Sequence, residues 1–275
     1  MNYKEITFII NPLNPYRDIL LAFLSQISSF ESFLEFDKGL KAYVSVNTFK
    51  ADEIKKICEK INAKISFNVK NIDAKNWNST WEESFKPVKI NEDCIIRAPF
   101  HKNYKLKYEI IISPEMTFGT GHHETTCGII KELFKHEINK KSVLDFGCGT
   151  GILSILSEKL GAEMINSIDI CSNACINAKS NLYENKCYKS KVINGGAEKV
   201  SGKFDYILAN INKNVIIKNI EVFSKSLLLN GILIISGFYQ NDLNDILVKA
   251  KSFKLEYINH EQNNKWVISK FKKIK

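Results

Sequence analysis

Apolar and polar positions recur with two different periods along this chain, and the period predicts where strands and helices fall. Tyr3–Ile10 reads as an apolar-rich strand. Ile65, Phe67 and Val69 alternate with Lys64, Ser66, Asn68 and Lys70, a period-2 strand with one wet face. Between them, Leu20, Leu21 and Leu24 have helical spacing behind Asn14-Pro15, a capping side chain followed by Pro at the first helical position. Phe33–Phe36 and Lys41–Val46 flank Asp37-Lys38-Gly39, a hairpin turn signal, and Ala51–Ile61 is an amphipathic helix.

The resulting order, β-α-β-β-α-β over residues 1–70, predicts a ferredoxin-like α+β module. Such modules serve recognition more often than catalysis, although fold alone does not fix the role. Residues 71–90 read as a linker. Trp77 and Trp81, four apart in a polar stretch, suit a short helix that packs on a domain face. From residue 91 to 275 strands and helices alternate. Strands are predicted at Ser142–Asp145, Met164–Ile170, Lys191–Asn194, Phe204–Ala209, Gly231–Gly237, Lys254–Asn259 and Lys265–Phe271. Helices are predicted near 123–137, 152–160, 172–184, 213–228 and 241–252. Strands separated by helices imply parallel crossovers and a doubly wound, Rossmann-like α/β sheet. Only His260–Asn264 separates the last two strands, which requires a hairpin and makes one of them antiparallel.

Composition narrows the class. The 275 residues are 44% hydrophobic and 25% charged, as in an ordinary soluble globular protein. No apolar run reaches the roughly 18 residues of a membrane span, and the first residues lack the pattern of a signal peptide. The seven cysteines form no paired framework, which predicts reduced thiols and a cytoplasmic setting. Cys171 and Cys175 lack the spacing and the nearby His of a zinc site, so no metal is expected. The formal charge of +9 raises the question of nucleic acid, yet Arg17 and Arg97 are the only arginines and the lysines are scattered. Arg forks are the preferred specific phosphate and base contacts. Attraction to a polyanionic particle such as the ribosome stays open.

The candidate chemistry begins at Val143-Leu144-Asp145-Phe146-Gly147-Cys148-Gly149-Thr150-Gly151. This is a buried strand ending in an acid, then a glycine-dense turn into a helix, at the sheet end where open α/β folds bind ligands. A G-x-G-x-G spacing preceded by Asp departs from the dinucleotide fingerprint and favours S-adenosylmethionine over NAD. Asp145 and the turn of Gly147, Gly149 and Gly151 are expected under the methionine moiety, the carboxylate facing its ammonium. Asp169, at the end of the next strand, can accept hydrogen bonds from both ribose hydroxyls. The loop from Ser113 to Thr126 reads as ligand-facing, with Thr120 and Thr126 as hydroxyl donors, or Thr125 or Thr126 as a helix cap. Asn210 follows the fourth strand, where an asparagine can accept a hydrogen bond from an amine and aim its lone pair at the methyl. Enzymes acting on flat nitrogens often carry Asn-Pro-Pro-Tyr there. Ile211, Asn212 and Lys213 point instead to a flexible sp3 amine.

Together these segments resemble the bacterial methyltransferases of ribosomal protein eleven of the large subunit, which have a class I seven-stranded sheet. The block Phe118-Gly119-Thr120-Gly121-His122-His123-Glu124-Thr125-Thr126 carries the resemblance, with His122 and Glu124 departing from the usual FGTGTHPTT. Phe85-Lys86-Pro87-Val88, Asp169-Ile170, Ala209-Asn210-Ile211 and Ser236-Gly237 add to it. The resemblance implies that Phe118, Thr126, Gly147, Asp169 and Asn210 contact the cofactor and that the first module binds the ribosomal protein. The expected activity is methylation of lysine, and of an N-terminal amine, on that protein by a monomeric cytoplasmic enzyme without a membrane partner. A lysine methyltransferase of another protein, an RNA methyltransferase and a non-enzymatic binding module are the alternatives.

Overall fold

The computed structural model describes residues 3–25, 27, 30–72, 85–113 and 119–275. Phe118, Trp77 and Trp81, singled out above, lie outside the described residues. The chain divides into two compact units, Met1–Ser84 and Phe85–Lys275.

The first unit runs β1 (Tyr3–Asn11), α1 (Tyr16–Ser25), β2 (Phe30–Phe36), β3 (Gly39–Ser45), α2 (Ala51–Lys60) and β4 (Lys64–Ile72). Its antiparallel sheet has the order β2-β3-β1-β4. Register explains the alternation seen in the sequence. Ile6 pairs with Val69, Phe8 with Phe67 and Ile10 with Ile65, so the apolar members of β1 and β4 share one face. There they pack with Leu40, Ala42 and Val44 of β3 and with Leu20, Leu24 and Ile54 of the two helices. Each such fully buried side chain contributes about 1.5–3 kcal/mol. The opposite face is polar, and on it Glu5 accepts hydrogen bonds from Lys41 Nζ at 3.0 Å and Tyr43 Oη at 2.9 Å.

The second unit opens with a small sheet that hydrophobic periodicity does not reveal: β5 (Val88–Lys89), β6 (Cys94–Arg97) and β7 (Tyr108–Ile111). Ordered structure thus enters the stretch 71–90 from both sides, β4 ending at Ile72 and β5 starting at Val88. Then follow α3 (Glu124–Leu133), β8 (Ser142–Phe146), α4 (Ile152–Lys159), β9 (Met164–Asp169), α5 (Ser172–Glu184), β10 (Ser190–Asn194), β11 (Phe204–Asn210), α6 (Lys213–Ser226), β12 (Leu227–Tyr239), α7 (Leu243–Ser252), β13 (Leu255–Asn263) and β14 (Trp266–Lys273). These seven strands form one sheet, β10-β9-β8-β11-β12-β14-β13. The first five are parallel and β14 is antiparallel to both neighbours. Val143 and Leu144, adjacent on β8, point to opposite faces. Val143 joins the core shared with α3, α4 and α5, and Leu144 joins the core shared with α6 and α7. The sheet is covered on both sides, so its parallel strands read as near-continuous apolar runs. Strand order reverses between β8 and β11, which places a crevice at their carboxyl ends.

Three asparagines one helical turn apart, Asn177 and Asn181 on α5 and Asn185 at its C-cap, tie the small sheet to that crevice. Asn185 Oδ1 accepts from the Ile111 amide (2.9 Å), and Asn185 Nδ2 donates back to the Ile111 carbonyl. Asn181 Oδ1 accepts from the Ser113 amide (3.0 Å) while its Nδ2 donates to the Thr150 carbonyl (3.0 Å) and to Asn177 Oδ1.

Candidate functional site

The glycine turn after β8 is folded back on its neighbour strand. The amides of Gly147 and Cys148 both donate to the Ile168 carbonyl, at 2.7 and 3.0 Å, and the Gly151 amide donates to Cys148. The Gly149 amide donates to Asp169 Oδ2 at 2.9 Å. These donors are therefore used within the protein. Here the glycines allow close approach. A Cβ on Gly147 (φ +75°) would stand 2.5 Å from Ile211 Cγ2, and one on Gly237 (φ +101°) 2.2 Å from the Ile211 carbonyl oxygen. Ile211, just past β11, is clamped between them and donates its amide to the Ser236 carbonyl. A register shift in the β12–β14 pairing falls at Gly237, a bulge beside the crevice.

Asp145 is 1% exposed. Ser154 donates to its Oδ2 from both amide (3.1 Å) and hydroxyl (2.6 Å), so the carboxyl caps the first turn of α4. The chain of hydroxyls continues from Ser154 to Ser167 and Ser190. Asp145 Oδ1 is buried without a hydrogen-bond partner. Burial pushes this carboxyl up to about 7, against the two Ser154 hydrogen bonds, and the nearby charge of Asp169 adds to the rise. Asp169 ends β9. Its Oδ1 accepts from the Cys171 amide (2.9 Å) and its Oδ2 from Gly149, which fixes the carboxylate and leaves each oxygen a further acceptor site. Ile170, immediately after it, is 81% exposed and offers bare apolar surface at the same sheet end.

This arrangement discriminates between ligands. A pyrophosphate at a helix N-terminus needs free amides and positive potential. Here Asp145 already occupies the α4 terminus, and a second carboxylate lies beside the turn. A cation with an N–H donor fits the orphaned Asp145 Oδ1, and paired hydroxyls fit Asp169. The residues present therefore suit S-adenosylmethionine, which carries an ammonium, a sulfonium and a ribose.

On the other side of β8, Asn210 Nδ2 donates to Thr126 Oγ1 at 3.1 Å. That bond fixes the amide plane, and Asn210 Oδ1 is left buried without a hydrogen-bond partner. Thr126 is buried on α3 and braces Asn210. The cap of α3 is His123, whose Nδ1 accepts from the Thr125 amide, so neither threonine fills the capping role allowed above. Asn210, Ile211, Asn212, Gly237, His123, Thr125 and Trp266 line a cleft of about 250 Å³. Its aromatic wall was missed in the sequence. Trp266 lies 4.9 Å from His123 and 4.4 Å from Tyr239, ring to ring. Trp266 reaches the crevice because β14 inserts antiparallel beside β12 and pairs it with Tyr239, a long-range register that no local pattern encodes.

The structure thus brings Asp145, Gly147, Gly149, Gly151 and Asp169 to one side of the crevice and Asn210 with Thr126 to the other. Gly119 joins them, since Thr150 Oγ1 donates to its carbonyl at 2.7 Å. Thr120 Oγ1 instead lies 3.3 Å from His122 Nδ1, and His122 Nε2 lies 2.8 Å from the Lys86 carbonyl. Among the described residues no cluster of metal-ligating side chains occurs.

Comparison with known proteins gives the family. Residues 24–274 match the family model described as ribosomal protein L11 methyltransferase (PrmA). The chain is 38% identical over 279 residues to the ribosomal protein L11 methyltransferase of Phocaeicola vulgatus, covering 98% of this chain and 99% of that protein. It is 36% identical to that of Porphyromonas gingivalis over 92% of this chain and 90% of the relative. Among solved structures, the ribosomal protein L11 methylase of Lactobacillus delbrueckii subsp. bulgaricus superposes with a TM-score of 0.64. That match has 23% identity and covers 70% of this chain and all of that one, a likeness of fold.

Proposed function

Since the chain belongs to the ribosomal protein L11 methyltransferase family, we propose that it transfers methyl groups from S-adenosylmethionine to lysine amines, and to an N-terminal amine, of ribosomal protein L11. The observation that carries this reading is the Asn210–Thr126 pair, because it holds an otherwise unpaired acceptor on a residue that lines the cleft.

Bound in the crevice, the cofactor supplies an electrophilic methyl on a sulfonium. Asp145 Oδ1 is proposed to accept from the cofactor ammonium and Asp169 from the ribose hydroxyls, with Gly147, Gly149 and Gly151 giving the close approach. Asn210 Oδ1 accepts an N–H of the entering neutral amine and so turns its lone pair toward the methyl. Ile211 and Trp266 exclude water from that line. Displacement at carbon needs alignment above all, and fixing two reactants in an attack geometry is worth several kcal/mol. An acceptor that is not a charge partner also lets the amine rotate between successive transfers. Thr120 and Phe118 are proposed to border the cofactor as the family block implies.

The first unit is proposed to recognise the ribosomal protein, and the enzyme to act as a cytoplasmic monomer that meets the ribosome through its excess of lysines. No helix among the described residues is long and apolar enough to cross a membrane. Incubating the purified chain with isotope-labelled cofactor and L11 should place label on L11 lysines by mass spectrometry. Label on RNA alone, or on neither, would overturn the proposal.

A further inference from the structure

A second cleft of the same unit lies beside the one that holds Asn210 and plays no part in the chemistry described so far. It measures about 610 Å³ and is lined by Tyr239, Gln240, Asn241, Asp242, Gln262 and Lys265. The Tyr239–Trp266 stack is its shared wall with the smaller cleft that holds Asn210. It sits at the end of β12, the turn that follows it and the tip of the β13–β14 hairpin, on the far side of β11 from the carboxylates of β8 and β9, so it is not an extension of the cofactor half. A volume of this size is in the range of roughly 300–1,000 Å³ that encloses a ligand larger than one side chain.

The lining chemistry is specific. Three side-chain amides, Gln240, Asn241 and Gln262, each present donors and an acceptor. Asp242 shares Lys213, at 2.9 Å, with Asp245, which lies 2.7 Å from the same ammonium. Lys265 has no acidic partner among the described residues. The cleft is therefore amide surface with one aromatic face, one unpaired cation and one carboxylate that shares its lysine with Asp245. Its walls are also fixed in place. Asn264 Nδ2 donates to Glu124 Oε1 at 3.2 Å, tying the β13–β14 hairpin tip to the first turn of α3, and the Tyr239 amide donates to Asp242 Oδ2 at 3.1 Å.

We infer that this cleft holds the polypeptide main chain flanking the target lysine, its amide side chains pairing with backbone groups while Lys265 selects an acidic residue beside the target. This rests on the reading of the protein as a protein-lysine methyltransferase. Amide pairs suit a backbone because every residue of a peptide offers the same N–H and C=O. Trp266 lines the 250 Å³ cleft and Tyr239 lines this one, and their rings are 4.4 Å apart, so the two clefts are neighbours.

The test is steady-state kinetics of the full chain with two acceptors, L11 and Nα-acetyl-lysine methylamide. Asn241→Ala/Gln262→Ala and Lys265→Glu should each raise KM for L11 roughly five- to tenfold, with kcat for L11 and the kinetics of the small acceptor within about twofold of wild type. Gln262 also donates to the Asn264 carbonyl at 2.7 Å, so its loss can loosen the hairpin. Asn241→Ala alone, with an unchanged Tm, then carries the test. An unchanged KM for L11 overturns the inference, and so does an equal loss with the small acceptor, which would place the effect at Asn210. If wild type methylates neither acceptor, the proposed function itself fails and the inference falls with it.

Discussion

The two units bury different things. In Met1–Ser84 the described core is wholly apolar, from Ile6 and Phe8 to Ile54 and Ile61, and every buried polar or charged residue of the described chain lies in Phe85–Lys275. A buried polar group costs free energy unless it is paired. The second unit meets that cost repeatedly, with Asn177, Asn181, Ser154, Ser167 and Asp145 locked in hydrogen-bond chains. Among the described residues three buried side-chain oxygens escape pairing, Asp145 Oδ1, Asn210 Oδ1 and Ser269 Oγ, and the first two lie at the sheet's carboxyl edge. One unit is thus a scaffold that offers a surface. The other keeps unpaired acceptors under structural control, as a site that must bind donors requires.

The sharpest way to break this contrast is at Asn210. If its unpaired oxygen orients the amine, Asn210→Ala should lower kcat by roughly 100-fold, about the loss of one well-placed polar contact in a water-poor site. Cofactor affinity, measured by calorimetry, should change much less. Thr126→Val leaves the amide in place but removes its brace and should give a smaller loss of kcat. An Asn210→Ala enzyme within about threefold of wild type would reduce the orphaned oxygen to an accident of packing.

Asp145 should show a smaller and pH-dependent effect. Its folded pKa of about 7 lies above the ordinary carboxylate value, so the folded protein holds a proton that the unfolded chain has lost. Stability therefore falls as pH rises from about 4 to 7, and the full penalty, roughly 4 kcal/mol, applies above that window. Asp145→Asn escapes it. Urea denaturation should show the variant more stable than wild type at pH 8 and similar to it near pH 4. Binding should run the other way. Wild-type affinity for S-adenosylhomocysteine should tighten up to about tenfold between pH 6 and 8 as the carboxyl ionises, whereas the variant binds weakly and without that slope. A flat wild-type profile would exclude a contact between Asp145 and the ammonium.

How much of this was legible in the sequence depended on whether the signal was local. The strand, acid and glycine turn at Val143–Gly151 form one contiguous unit, and Asp169 and Asn210 each end an apolar run, so all were visible. So was the β-α-β-β-α-β order of the first unit, because Ile65–Val69 and the Asp37–Gly39 turn carry their own period and punctuation. The small sheet β5-β6-β7 was not, since Cys94–Arg97 is buried throughout and strands of two to four residues have no period to read. His123 as a cap was hidden because Thr125 and Thr126 match the capping preference better. The asparagines Asn177, Asn181 and Asn185 carry no local signal of their own. Their pairing with Ile111 and Ser113, some 70 residues away, shows a fixed structural use. Trp266 is the extreme case, because its place depends on a strand that inserts out of sequence order.

The smallest effect is expected in the first unit, at Glu5 on the polar face of the sheet. Burial alone would raise this carboxyl, but hydrogen bonds from Lys41, Tyr43 and Thr7 and the Lys41 charge outweigh it and hold it below the ordinary range. A lowered folded pKa means that the stabilisation is present above the unfolded value of 4.5 and is lost as pH falls through the folded one. The group is only part-buried and its partners reach water, so the contribution is that of a surface network, at most about 1 kcal/mol. Glu5→Gln should therefore lower Tm by a few degrees at pH 7, converge with wild type at low pH, and leave kcat untouched. A loss of several kcal/mol would place this face with the buried polar chains of the second unit. The division between a unit that presents a surface and a unit that encloses chemistry would then fail at its simplest point.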